Sequence, residues 1–145
     1  MVKSTAVLLD ANVLLALGWS THEHHDAARR WFKRSEATHW ATCPLTQLAF
    51  VRLSSNPHVV DPVATPQQAA ELLRRMVAHP RHVFWSDTID LATEVEWPWD
   101  WVVGHRQVTD SRLVLLAKRN NGRLATFDRR IAKTAGAIIE LIPSG

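Results

Sequence analysis

The sequence predicts an α/β fold: a three-layer α/β/α domain on a mainly parallel central sheet of four to five strands. Two observations predict it. Short apolar runs recur along the chain, among them Val7-Leu8-Leu9, Trp40-Ala41-Thr42 and Leu124-Ala125-Thr126-Phe127. Runs of this kind, without strict alternation, read as strands buried on both faces, as parallel strands are. Between them lie helix-like segments, and alternating strands and helices pack as a parallel sheet with helices on both sides. A length of 145 residues suits a single domain, taken as residues 1–145, with ordinary shares of apolar (46%) and charged (21%) residues.

Each element has its own local reason. Val7–Leu9 is the first strand and Asn12–Leu17 opens a short helix. His22–Ser35 reads as an amphipathic helix, with Ala27, Ala28, Trp31 and Phe32 on one face and Arg29, Arg30, Lys33 and Arg34 largely on another. Trp40–Thr42 is a short strand. Pro44, acceptable at a first helical position, opens a helix through Leu53, and Ser54-Ser55-Asn56-Pro57 breaks it. Thr65-Pro66-Gln67-Gln68 carries a cap, a first-position proline and a capping box, so a helix runs from there to about Ala78. His82–Trp85 is the third strand, Asp87–Glu94 a short helix, and Trp97–Trp101 irregular or extended. Thr109 is expected to cap a helix through Arg119, which Asn120-Asn121-Gly122 ends in the left-handed manner. Leu124–Phe127 is the fourth strand and Ala137–Ile142 the fifth. There is no repeat, linker or low-complexity tract.

The formal charge is +3, unevenly spread: Arg29-Arg30, Lys33-Arg34, Arg74-Arg75, Lys118-Arg119 and Arg129-Arg130 are basic pairs. Taken singly, most are solvated helix faces. Around an acidic centre they would form the basic rim expected for a polyanion substrate. Cys43 stands alone, which excludes a disulfide framework and a cysteine-based zinc site. Lys3 ahead of an apolar stretch invites a signal-peptide reading, but Asp10 and Asn12 interrupt that stretch. No segment is long and apolar enough to span a bilayer, so a cytoplasmic protein with no membrane contact is expected.

Function is written in four polar positions that follow apolar runs: Asp10, Gln47, Asp110 and Asp128. Open parallel sheets bind ligands at the carboxyl ends of their strands. Three aspartates brought to one such edge repel one another unless a cation lies between them, and a divalent metal is the natural candidate. The pattern points to metal-dependent phosphodiester chemistry. Each acid also has a plainer reading: Asp110 as a first-turn acid on a helix dipole, Asp128 as the cap of the helix that follows. For Asp10 the plainer reading is weak, because an unpartnered carboxylate after a buried strand is costly. Asn12 and Thr126 are expected to support the site by hydrogen bonds, with a local turn as the alternative for Asn12. Asp87 reads as a helix cap and stands outside the site.

Leu8-Leu9-Asp10-Ala11-Asn12-Val13-Leu14-Leu15, Thr109-Asp110-Ser111-Arg112-Leu113 and Ala125-Thr126-Phe127-Asp128-Arg129, in that order, resemble the PIN domain family of ribonucleases, closest to the VapC-type toxins. The segments Cys43–Pro57 and Gly104–Asp110 strengthen the resemblance, which spans the whole chain. It implies a Mg²⁺- or Mn²⁺-dependent endoribonuclease toxin of a toxin–antitoxin system. Asp10, Asp110 and Asp128 would be both catalytic residues and metal ligands. It further implies an RNA substrate cut to 5′-phosphate and 3′-hydroxyl ends, a small cognate antitoxin lying across Asp10 and Asp110, a homodimer and toxin–antitoxin hetero-oligomers. Gln47 stands where the family pattern usually has a glutamate; an amide can ligate through its carbonyl but brings no charge.

Around that centre, His105 and Arg106 are placed to reach the substrate backbone, Arg being suited to bidentate phosphate contact, with a surface loop pair as the alternative. Thr109 and Gln47 complete the supporting set. Trp97, Trp99 and Trp101 are assigned to packing or a dimer contact rather than to base stacking. His22, His24 and His25 are expected to be exposed helix residues. A PIN-like module that binds RNA without cutting it is the alternative, and Gln47 is what keeps it open. An aspartate-nucleophile phosphatase fits poorly, since that chemistry wants a second acid where Asn12 stands.

Overall fold

The computed structural model describes residues 6–35 and 38–144, so Lys3 lies outside the described residues. Five strands, β1 (Ala6–Leu9), β2 (His39–Thr42), β3 (His82–Phe84), β4 (Arg123–Thr126) and β5 (Ile139–Leu141), form one sheet in the order β3-β2-β1-β4-β5. Every pairing is parallel. The α-helices are α1 (Ala11–Gly18), α2 (His25–Arg34), α3 (Pro44–Ser54), α4 (Pro66–Val77), α5 (His105–Arg119) and α6 (Arg129–Ala135).

The three inner strands, β1, β2 and β4, are short and largely buried, which is why they read as apolar runs, whereas the edge strands β3 and β5 are half-buried to exposed. On one face Leu8, Ala41 and Leu124 join Leu113, Leu116 and Trp97 in one apolar cluster. On the other, Val7, Leu9, Trp40 and Ala125 pack with Leu14, Trp31, Phe50 and Leu73 in a second. These two cores on either side of a parallel sheet make the three-layer α/β/α arrangement. The chain runs outward from β1 through β2 to β3, then restarts on the other side with β4 and β5. The direction of winding reverses between β1 and β4, and the crevice at that reversal is where such sheets place their ligands.

Most elements form for the reasons read from sequence. Thr65 Oγ1 accepts from the Gln68 amide at 3.1 Å and Gln68 Oε1 from the Thr65 amide at 2.9 Å, closing the capping box of α4. α5 ends with Asn121 left-handed at φ 52°. The following Gly122 serves close approach, since a Cβ there would stand 2.4 Å from the Ala6 carbonyl oxygen and 2.7 Å from the Trp85 ring.

Four expectations are corrected. α5 starts at His105, capped by Gly104 whose amide donates to Gln107 Oε1 at 2.8 Å; Thr109 is an interior helix residue, not a cap. Asp87–Glu94 is a chain of turns rather than a helix. Asp87 caps the first of them, accepting from the Ile89 amide at 3.1 Å, and pairs with Arg112, which also donates to the Ile89 carbonyl at 2.8 Å. This long-range tie takes the groups a helix would have used. His22 and His24 precede α2, and His22, His24 and His25 are half-buried rather than exposed. His24 lies against Phe127 with ring centroids 4.9 Å apart, and His25 Nδ1 meets the Ala16 carbonyl at 2.7 Å. The fifth strand is only Ile139–Leu141, because Gly136–Ile138 is a 3-10 turn.

Candidate active site

The winding reversal gathers the acids. Asp10 directly follows β1; its amide continues the sheet by donating to the Ala125 carbonyl at 3.0 Å, and its Oδ1 caps α1 through the Ala11 amide at 2.8 Å. The other oxygen, Oδ2, accepts from the Thr126 hydroxyl at 2.9 Å. Thr126 ends β4 and is fully buried, and its oxygen also accepts from the Asp128 amide at 3.1 Å. One hydroxyl thus fixes the spacing between Asp10 and the Asp128 backbone. Asp128 Oδ1 accepts from the Arg130 amide at 2.8 Å, so it does cap α6 as its plainer reading has it, and its carboxylate still faces the site. Asp110 lies in the second turn of α5, half-buried.

The three carboxylates act on each other. Burial raises the Asp10 pKa, only partly offset by the Thr126 and Ala11 hydrogen bonds, and the charge of Asp128 raises it further. Asp110 is pushed up to about 6, first by burial and then by the charges of Asp10 and Asp128, against the weaker pull of Arg130. Burial is the larger cause in both, and the neighbouring carboxylate charges add to it in the same direction. Among the described residues, however, no three Asp, Glu, His or Cys side chains stand close enough to form a ready-made metal cage. The acids share a field rather than a coordination shell.

Asp110 and Asp128 open onto a cleft of about 380 Å³ whose other walls include Trp101, Val103, Arg106, Gln107 and Arg130. Arg106, named from sequence, lines it. Arg130 stands out in sequence only as part of a basic pair, yet its Nε is 3.8 Å from Asp128 Oδ1 and its charge reaches Asp110. Position after a strand-ending acid is the signal that would have found it. Trp97 is buried and donates to Ser111 Oγ at 2.8 Å, a packing role as expected. Trp101 is partly buried at the cleft wall, and Trp99 is half-exposed and stacked on Trp97.

The remaining predicted residues are not brought in equally. Thr109 and His105 are exposed on α5, and Asn12 is exposed on α1 with no side-chain hydrogen bond to another described residue. Gln47 is turned toward β2: its Nε2 donates to Thr42 Oγ1 at 3.0 Å, and Thr42 Oγ1 in turn bonds His82 Nε2 at 2.8 Å.

Fold and site together define a class: a small parallel α/β domain with aspartates collected at the winding reversal. The chain matches the family profile described as PIN domain over residues 7–137. It is 44% identical over 136 residues to ribonuclease VapC39 of Mycobacterium tuberculosis, covering 93% of this chain and 98% of that one. To ribonuclease VapC38 of the same organism it is 43% identical over 121 residues, 83% of this chain and 84% of that one. Against ribonuclease VapC29, also from M. tuberculosis, the figures are 42% over 139 residues, 95% and 97%. The chain belongs to the PIN domain family, in its VapC-type branch. No helix among the described residues is long and apolar enough to cross a membrane.

Proposed function

We propose that this chain is a Mg²⁺- or Mn²⁺-dependent endoribonuclease and the toxin of a toxin–antitoxin pair. The observation that carries the reading is the gathering of Asp10, Asp110 and Asp128 at one sheet edge, where burial first, and neighbouring carboxylate charge second, holds Asp10 and Asp110 above the ordinary carboxylate range. Full-length relatives carrying the name ribonuclease support it.

The donor set fits a hard divalent ion. Mg²⁺ takes oxygen ligands, keeps several waters and usually binds through one or two carboxylates plus substrate phosphate, so it does not require a closed cage. Asp10 and Asp110 would hold it, with Asp128 completing the set directly or across a water. When bound, the ion supplies neutralising charge for the phosphodiester and lowers the pKa of an attacking water. The protein's own groups do the rest. Thr126 fixes one oxygen of Asp10 and leaves its charge aimed outward. Asp128, nearer solvent, receives a proton from the attacking water. Arg106 and Arg130 at the cleft wall bind the RNA backbone and orient the scissile bond in line. Gln47 acts only as a support, through Thr42. The partners are RNA, a cognate small antitoxin covering Asp10 and Asp110, and a second copy of the chain in the cytoplasm.

The purified protein should cut single-stranded or looped RNA in Mg²⁺ or Mn²⁺, leaving 5′-phosphate ends, and stop in EDTA. Cutting that persists in EDTA with 2′,3′-cyclic phosphate ends overturns the metal reading. The open spacing of the carboxylates and the amide at Gln47 favour one second reading, a module that binds RNA without cutting it; retention of intact RNA in both metals is its outcome.

A further inference from the structure

A cavity larger than the acidic cleft lies away from it. It is about 600 Å³, between α2 and the turn that leads into β3, and Arg29, Arg30, Lys33, His79 and Arg81 line it with Asp26 as the one acid. Four cations face a single carboxylate, an excess of three formal charges. None of those cations pairs with an acid of the described residues. Arg81 Nε is buried with no hydrogen-bond partner among the described residues, a cost the fold carries unless a ligand offsets it. His79 adds a donor. Its Nδ1 accepts from the Arg81 amide at 3.1 Å and from Trp40 Nε1 at 3.3 Å, so the ring proton of neutral His79 sits on Nε2. Phe32, edge-on to His79 at 5.5 Å, forms an aromatic wall of the same cavity.

Arg81 immediately precedes β3, whereas Asp10 and Asp128 come after the last residues of β1 and β4. In a fully parallel sheet these are opposite ends. We propose that this cavity is an oxyanion site of phosphate class that anchors the phosphodiester backbone of an RNA at the end of the sheet remote from its scissile bond. The proposal rests on the ribonuclease reading for the identity of the polymer. A guanidinium, an imidazole N–H and flexible cations converging from two elements suit a group with several oxygens, and the excess charge exceeds what one carboxylate neutralises. The aromatic wall favours a nucleotide over an acidic peptide, because any base can stack on it.

The test is binding of a long oligoribonucleotide in EDTA, where the proposed metal-dependent cleavage is off, followed by fluorescence anisotropy over a salt series. Arg81→Gln, and separately Arg30→Gln with Lys33→Gln on the exposed face of α2 in case the first variant fails to fold, should weaken binding about tenfold. The same variants should flatten the logarithmic salt slope by roughly 0.7 for each phosphate no longer neutralised. Arg52→Gln, on the exposed face of α3, should change neither. Cleavage of an oligonucleotide too short to leave the acidic cleft should be unaffected by all of them. Inorganic phosphate, but not chloride at equal ionic strength, should shift the His79 ring resonances. Unchanged long-RNA affinity overturns the proposal even if free phosphate binds, and so does poly-glutamate displacing RNA at equal charge. Variant-sensitive binding by a wild-type protein that cuts nothing sinks the ribonuclease reading and leaves this one standing.

Discussion

The two strands that flank β1 both end in a buried threonine, and the two hydroxyls do opposite things. Thr126, at the end of β4, donates to Asp10 Oδ2 at 2.9 Å and accepts from the Asp128 amide at 3.1 Å. Thr42, at the end of β2, accepts from Gln47 Nε2 at 3.0 Å and bonds His82 Nε2 at 2.8 Å. On the β4 side a neutral hydroxyl serves a carboxylate and leaves its charge available. On the β2 side the hydroxyl, an amide and an imidazole satisfy one another and nothing is left charged. The difference places the chemistry on one side of β1. The winding reversal falls there too, so topology and electrostatics select the same crevice.

The strongest way to break this asymmetry is to remove the central polar group from each side in turn. Asp10→Ala and Asp110→Ala should each lower RNA cleavage by roughly a thousandfold or more, the scale seen when a group facing developing charge is lost. Gln47→Ala should cost only about tenfold, since it touches Thr42 and acts indirectly. The measurement is initial rate on a defined RNA, with circular dichroism to check folding. Equal losses in all three variants would place the β2 side inside the reacting centre and end the distinction.

A smaller effect reads the burial of Asp110 together with its acidic neighbours. In the folded protein Asp110 holds its proton up to about 6, against an ordinary value of 3.8. Its contribution to stability is therefore complete below the unfolded value and is lost as pH rises through about 6; above that the ionised group works against the fold. Asp110 is half open to solvent, so screening discounts the cost to about 1 kcal/mol, worth roughly 3–4 °C in a domain of this size. Asp110→Asn should thus melt higher than wild type at pH 7.5 without metal, and the gap should narrow as pH falls through about 6 and close as it reaches the ordinary value of 3.8. Melting curves at pH 7.5 and at the ordinary value of 3.8 decide it; a gap independent of pH would mean that burial and the neighbouring carboxylates do not hold the proton on Asp110.

Most of this is legible in the sequence because local chemistry and global topology agree. Strands buried on both faces must be apolar, so β1, β2 and β4 announce themselves, and an acid after each of β1 and β4 has few plain explanations. Thr126 is legible because a polar residue ending a buried run needs a partner. What escapes depends on distant neighbours. The turns at Asp87–Glu94 exist because Arg112, well over twenty positions away, takes Asp87 and the Ile89 carbonyl. Thr109 looks like a cap, but Gly104 with Gln107 three residues on begins α5 earlier, the same side-chain-to-backbone logic with glycine at the cap. His24 and His25 look exposed beside Glu23 and Asp26, yet Phe127 and the Ala16 carbonyl cover them from other elements of the fold. Arg130 reads as one of a basic pair, and only its place just after a strand-ending acid hints that it lies near Asp128.

The finest probe of the comparison is to give the β2 side a charge. Gln47→Glu places a fourth carboxylate in the first turn of α3, where the family pattern usually has one. The new side chain cannot donate to Thr42 as Gln47 Nε2 does, so the Thr42 hydroxyl must donate instead and His82 must supply the proton from Nε2. That rearrangement is open to a neutral imidazole by change of tautomer, so the fold should survive. A carboxylate freed from Thr42, if it swings to the acidic crevice, would add to the repulsion there without metal and to affinity with it. The expected gain is about threefold to tenfold in Mg²⁺ or Mn²⁺ affinity, the effect of one partly screened charge. Calorimetric metal titration of both forms measures it. Identical affinity and stoichiometry would mean that residue 47 is held to Thr42 whatever its charge, and that the β2 side stays neutral by geometry rather than by the choice of an amide.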